Sequence, residues 1–372
     1  MQIIKIIAAS LMMLVPFVNS YASNLKDSLS IGLNTYSDNA DVQVYSPTFS
    51  VMKTLSKNLL VGFKMRVDAI TAASIQNGGR PRVSDTVIGA SAKSGFDDVR
   101  YAPTFLLAYE EGDNAASGGV YYSKEVDYEG KSMFLNYVRQ LNSQNTAIGI
   151  GLSQSYDTWN PAILRELPKD YRNESKVDFS INQLISPTFS MQLVYSYMYS
   201  EGFLSSPYHY VIQDSFAKFE NYPDKRTGHA FAIKGVTLVN DLNSMNYSYR
   251  YYTDDWDISS HTASVEWLKD FSDKFTSGLR LRYYTQTGSN FAKDVGAYAV
   301  TDQYFAADYR MSAFDSYDIG IPLTYKPSMT SDLKYSLSVD YYQTSDNAYI
   351  KSWYDTNYLQ AVYTTFRIDY EF

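Results

Sequence analysis

Apolar and polar residues alternate along much of this chain with a period of two. Leu59, Val61, Phe63, Met65 and Val67 interleave with Lys64, Arg66 and Asp68. Leu333, Tyr335, Leu337, Val339 and Tyr341 interleave with Lys334, Ser336, Ser338 and Asp340. Phe189, Met191, Leu193, Tyr195 and Tyr197 share one side of a third segment, while Phe275, Leu279, Leu281 and Tyr283 oppose Thr276, Arg280, Arg282 and Tyr284 in a fourth. Successive strand side chains point to opposite faces, so each segment predicts a strand with one apolar and one charged face. The C-terminal stretch TTFRIDYEF follows the same rule, with Phe366, Ile368, Tyr370 and Phe372 on one side and Arg367, Asp369 and Glu371 on the other. A soluble β-sandwich would have to bury one face of every such strand, and its interior would not hold so many charges. A transmembrane barrel reverses the demand, with hydrocarbon outside and a hydrated lumen inside.

The turns between these segments come in two kinds that alternate along the chain. Short ones include Ser56-Lys57-Asn58, Asn142 to Asn145, Asn240 to Asn243 and Ser272-Asp273. Long ones are Ala72 to Arg100, Thr158 to Glu174, Gly202 to Arg226, Gly288 to about Phe314, and Ser345 to Asp355. That is the order of periplasmic turns and extracellular loops in bacterial barrels. The expectation is therefore an all-β fold, a transmembrane antiparallel up-and-down β-barrel of about 16 strands, with 14 or 18 as alternatives. The strands fall near 29–36, 41–54, 58–70, 101–111, 117–128, 131–141, 145–156, 175–186, 188–200, 227–239, 243–253, 258–270, 274–287, 316–327, 332–343 and 356–372. The segment ADYRMSAF is left in a loop, so that an odd number of strands separates Tyr284 from Tyr342. Pro322 interrupts a strand and predicts a bulge. The last strand closes on the first, which removes both open edges.

Residues 1–22 read as a secretory signal peptide: Lys5, an apolar run from Ile6 to Val18, then Ser20-Tyr21-Ala22 as a small-x-small cleavage site. The barrel domain then spans 23–372. The chain has no cysteine, which excludes disulfides and thiolate chemistry. Its formal net charge is -8, with no basic run, and this argues against nucleic acid as a partner. Tyrosine is unusually abundant, 36 residues, and its apolar ring with a wet tip suits a boundary between lipid and water. The paired tyrosines in YRYYTDDW, LRYYTQT and VDYYQTS are expected to form the outer girdle. Together these features place the mature chain in a bacterial outer membrane, with its lipid as one partner.

Several stretches resemble an uncharacterised bacterial family of outer-membrane barrels, the domain of unknown function number 3570. They are YYSKEVDYEG (121–130), SSPYHYV (205–211), ENYPDKR (220–226), YRYYTDDWDISSHT (249–262), RYYTQT (282–287) and DYRMSAFDS (308–316). The resemblance covers most of the mature chain, whereas residues near Thr71–Ser74 and Ile88–Ser91 match the family's glycine-containing motifs only loosely. It implies a barrel in the outer membrane and no particular chemistry. The alternating terminal stretch Phe366, Ile368, Tyr370 and Phe372 also resembles the signal read by the outer-membrane barrel assembly machinery, which would be a second partner.

The candidate lumen-lining residues are Lys64, Arg66, Asp68, Glu125, Asp127, Arg250, Arg280, Arg282 and Arg367, with Lys176, Asp178, Asp340 and Asp369 in the same pattern. Catalysis has little to build on. Only His209, His229 and His261 are neutral-pH bases, and no nucleophile motif accompanies them. Asp254, Asp255 and Asp257 lack the spaced, glycine-turned loop of a calcium site, so the cluster reads as a tight hairpin. Neither a metal nor a cofactor is expected. The long segment Ala72–Arg100, with Gly78, Gly79, Arg80, Arg82 and Arg100, is either a constriction folded inward or an external lid. The function that follows is a porin-like channel for small polar solutes. The alternative is a closed barrel that serves as a platform for a periplasmic or surface partner.

Overall fold

The computed structural model describes residues 25–40, 42–72, 96–125, 128–159, 170–205, 210–213, 216–294, 297–328, 330–353 and 356–372. The signal-peptide expectation, Asp127, His209 and the glycines and arginines of 78–82 lie outside the described residues. The strands are β1 (Ser28–Asp38), β2 (Val42–Ser56), β3 (Leu59–Ala72), β4 (Phe96–Glu111), β5 (Asn114–Lys124), β6 (Tyr128–Leu141), β7 (Thr146–Trp159), β8 (Asp170–Ser186) and β9 (Phe189–Gly202). There follow β10 (Tyr210–Gln213), β11 (Phe216–Phe219), β12 (Lys225–Asn240), β13 (Asn243–Asp254), β14 (Ser259–Ser272), β15 (Phe275–Gln286), β16 (Phe314–Tyr325), β17 (Leu333–Thr344) and β18 (Gln360–Glu371). One short helix, α1 (Ala348–Trp353), lies between β17 and β18.

Sixteen strands form a closed antiparallel barrel in which each pairs with its chain neighbour, β9 pairs with β12, and β18 returns to β1. The closing seam is continuous, from Ser28 opposite Glu371 to Asp38 opposite Ala361. β10 and β11 stand apart as a separate hairpin. That hairpin lies in the expected 202–226 loop, and its four-residue strands are too short to stand out as a period-two pattern. The barrel strands β4 and β8 begin well before their expected starts, at Phe96 and Asp170, and so carry Arg100 and Arg172 out of the loops and into the wall.

Alternation decides the two faces. Ile31, Leu33, Phe105, Leu107, Leu135, Phe179, Phe231, Ile319 and Phe366 are all exposed, and they form an apolar outer band. Residues one position away point inward. The tyrosine pairs therefore split: Tyr251, Tyr283 and Tyr341 face out, while Tyr252, Tyr284 and Tyr342 face in. The expectation that both members join the outer girdle is corrected by the same period-two geometry that located the strands.

The bulge expected at Pro322 is also absent. Pro322 pairs with Ser338 of β17, and the register on its β15 side is unchanged before and after it, with Ser277 opposite Leu323 and Arg280 opposite Gly320. Pro47 and Pro103 behave alike, each paired on one side and set in a gap without slippage on the other. A proline lacks only one donor, so a ladder can omit that rung and keep its register.

Candidate pore lining and loop-end cap

Sixteen strands about 4.8 Å apart and tilted by roughly 40° enclose a cylinder roughly 30 Å across, wider than two layers of side chains can fill. The inner wall accordingly still meets solvent. Side chains of Arg280, Arg282 and Arg367 point inward, yet are 38%, 36% and 51% exposed.

Most inward charges are paired along the wall. Arg66 Nε lies 2.8 Å from Asp68 Oδ1, and Arg100 Nε is 2.7 Å from Asp68 Oδ2. Glu125, just past the end of β5, is buried 3.6 Å from Arg100. Arg172 reaches Asp157 at 2.6 Å and lies over the Trp159 ring, which packs edge-on against Tyr128. Lys176 bonds Asp178 at 3.1 Å, Arg282 bonds Asp318 at 2.7 Å, and Asp369 accepts from Arg367 at 2.8 Å and Ser30 at 2.6 Å. Arg280, on β15, links three strands, with Glu266 of β14 at 2.7 Å and Asp340 of β17 at 3.0 Å. The second contact crosses β16 at Gly320, where a Cβ would overlap Asp340 Oδ1. Glycine is what lets that bridge close.

Toward the turn end, the inner wall of β2–β6 is apolar. Leu60, Leu106 and Ala108 are buried together and packed by Met52, Phe134 and Leu25. This apolar inner patch lies beside the charged residues expected there, and alternation alone gave no warning of it, because both faces of these strands carry apolar residues.

At the loop end, the described residues of segments 203–224, 287–313 and 345–359 pack on one another. Tyr222, Trp256, Ile258, Phe291, Ala306 and Met311 form one apolar cluster, and Val211, Tyr298, Phe305 and Ala307 form another. Asn221 and Phe305 exchange backbone hydrogen bonds at 3.1 and 2.9 Å, and Glu220 accepts from Asp308 N at 2.7 Å. Tyr349 of α1 donates to Lys293 O and touches Tyr298 Oη at 3.3 Å; burial, then the Tyr298 hydrogen bond, hold its phenol well above the ordinary range. One segment enters the mouth. Gln286, on the inner face of β15, donates to Arg310 O and Ser312 O at 2.8 and 2.7 Å. Tyr309 packs edge-on against the buried ring of Phe314 and comes within electrostatic reach of Tyr36 on β1.

The cap is clamped to the wall by Asp254. Its Oδ2 accepts from Arg226 Nε and Tyr252 Oη, both at 2.8 Å, and its Oδ1 accepts from the backbone N–H groups of Trp256 and Ile258 at 3.0 and 3.1 Å. The Arg226 guanidinium stacks over Trp256 at 4.5 Å. Asp257 takes the left-handed φ of 65° that closes this turn. The cluster is thus the tight hairpin read from the sequence. Its burial was not legible, since Trp256 is covered by Tyr222 and Phe291 from segments remote in the chain.

The histidines stand elsewhere. His229 and His261 sit on the outer face, where Tyr195 Oη and Tyr249 Oη lie 2.9 and 2.6 Å from their Nδ1 atoms. Neither meets Asp254, which is committed to Arg226. Among the described residues, no group of three potential metal ligands comes together.

This geometry defines a class: a large closed barrel of the outer-membrane type, with exposed charged side chains on its inner face and loops packed at one end. Within that class, the chain belongs to the family described as "Protein of unknown function (DUF3570)", whose model matches residues 5–365. Among solved structures, it resembles a bacterial polysaccharide outer membrane secretin at 9% identity, covering 94% of this chain and 99% of that one with a TM-score of 0.54. A monoaromatic hydrocarbon channel matches at 8% identity, 97% and 92% coverage, and a TM-score of 0.48. The ferric enterobactin receptor of Pseudomonas aeruginosa matches at 7% identity and a TM-score of 0.47, over 87% of this chain and 54% of the receptor. At these identities the likeness concerns the fold. Among curated proteins, no match is found.

Proposed function

We propose that the protein is an outer-membrane conduit for small polar solutes, gated at its extracellular end by the folded loops. The observation that carries this reading is the solvent-exposed charge on the inner wall, above all Arg280, Arg282 and Arg367. A closed barrel built only as a platform could fill this wall with neutral side chains, whereas charged pairs that stay exposed suit a hydrated path. The short turns then face the periplasm and the capped mouth faces outward, as in bacterial barrels generally. The packed loop end favours the competing platform reading, so the test includes both states of the cap. Full-length protein in planar bilayers is expected to give stepwise current, and removing segment 287–313 is expected to raise it. Silence from both proteins, each verified as a folded barrel by its gel mobility before heating, would reject the conduit.

A further inference from the structure

Three cations on the inner wall stand outside its network of ion pairs. Lys64, Lys234 and Arg250 face inward and have no carboxylate in ion-pair contact among the described residues; Arg250 instead lies 5.2 Å from the Tyr252 ring. Each of them also feels the field of another cation. Lys64 is within electrostatic reach of Arg66 and Arg367, Lys234 of Lys176, and Arg250 of both Arg282 and Asp178. Such crowding is unfavourable unless water or a counter-ion screens it. It is all the more unusual in a chain whose formal net charge is -8.

The register shows what surrounds these cations. Lys234 stands opposite Gln192 and Ser248, Ser248 opposite Ser264, and Ser264 opposite Arg282, so two serines separate the two cations on one continuous rung. The two serine hydroxyls are 2.7 Å apart. Arg250 sits one step up the same wall, opposite Ala232 and Thr262. Lys234 and Arg282 are then roughly 14 Å apart along the rung, with Arg250 above the gap. Small and hydroxyl neighbours leave the heads of Lys234 and Arg250 without an acidic partner and add neutral donors, while Arg282 keeps its bond to Asp318 on the far side. Lys64 has the same kind of setting, opposite Ser50 and Thr104.

We infer that this patch, centred on Lys234 and Arg250 beside Arg282, with Lys64 as a separate cation on β3, binds small solutes carrying carboxylate or phosphate groups and makes the lumen anion-selective. Cation rows in a pore select anions, and ammonium and guanidinium groups beside hydroxyl donors suit oxyanions. The inference rests on the conduit reading for selectivity, but not for binding, so two measurements keep the failures apart. In the first, full-length protein in detergent is heated with inorganic phosphate or citrate, against potassium chloride at equal ionic strength. Citrate is expected to raise the unfolding midpoint by about 2–4 °C, phosphate by less, and the gain is expected to vanish in a Lys64→Gln, Lys234→Gln, Arg250→Gln triple variant. If the triple variant does not fold, the single substitutions are expected to divide the loss between them. No stabilisation of the unaltered protein beyond chloride, or the same stabilisation in the variants, overturns the site.

In the second, bilayers under a salt gradient are expected to show a reversal potential of anion-selective sign, abolished by the substitutions. Current without that preference overturns the inference and leaves the conduit standing. Citrate binding with no current from either the full-length protein or the one lacking segment 287–313 overturns the conduit and leaves the anion site.

Discussion

Replacing Asp254 with alanine removes the acceptor that ties the cap to the wall. The carboxylate is buried, and it serves Arg226, the Tyr252 hydroxyl and two backbone N–H groups at once. Its loss strands the Arg226 guanidinium, itself only 14% exposed, against the face of Trp256. Breaking a buried pair from one side costs about 3–5 kcal/mol, because the remaining charge keeps its desolvation penalty without its partner. The two freed N–H groups belong to the same tight turn, where water can satisfy part of their need, so the lower half of that range is expected. The assay is equilibrium urea unfolding in lipid vesicles, followed by tryptophan fluorescence. A second substitution, Arg226→Leu in the Asp254→Ala background, removes the stranded charge and should recover part of the loss. A shift of less than about 1 kcal/mol for Asp254→Ala, or a double variant no better than the single, would refute the idea that a buried ion pair holds the cap.

Two further outcomes follow from other parts of the wall and cap. Gly320→Ala should push Asp340 away from Arg280 and erase the Arg280–Asp340 coupling in a double-mutant cycle; since Arg280 is 38% exposed, solvent screening limits the stability change to about 1 kcal/mol, and an unchanged coupling would show that the bridge does not depend on the glycine. Tyr349 has a folded phenol raised by burial, so its contribution is whole below its ordinary value of 10.0 and fades as pH rises past it. Protection of the described amides of segments 287–313 and 345–359, corrected for the intrinsic base-catalysed rate, should therefore fall above about pH 10, and Tyr349→Phe should remove that fall; an equal fall in the variant would assign it to another group.

The sequence by itself determined the barrel. A strand's faces alternate whatever surrounds it, so Leu59 to Val67 and Phe366 to Phe372 carry their own statement of which side meets hydrocarbon. Counting such segments, with ADYRMSAF left in a loop, gives the strand number, because each hairpin pairs neighbours in the chain. The same periodicity put Arg280, Arg282 and Asp340 on one face of their strands.

Only the tertiary structure decided who meets whom across that face. Arg280 finds Asp340 two strands away because Gly320 leaves the space between them empty, and no single strand's pattern records such a gap. Lys234 and Arg250 go without carboxylates for the same reason: pairing depends on register between strands, whereas the pattern within a strand fixes only direction. The cap was the least legible part. Its apolar residues, Tyr222, Phe291, Ala306 and Met311, have no common period, since loops that pack on one another are held by particular contacts between distant segments and by no repeating geometry.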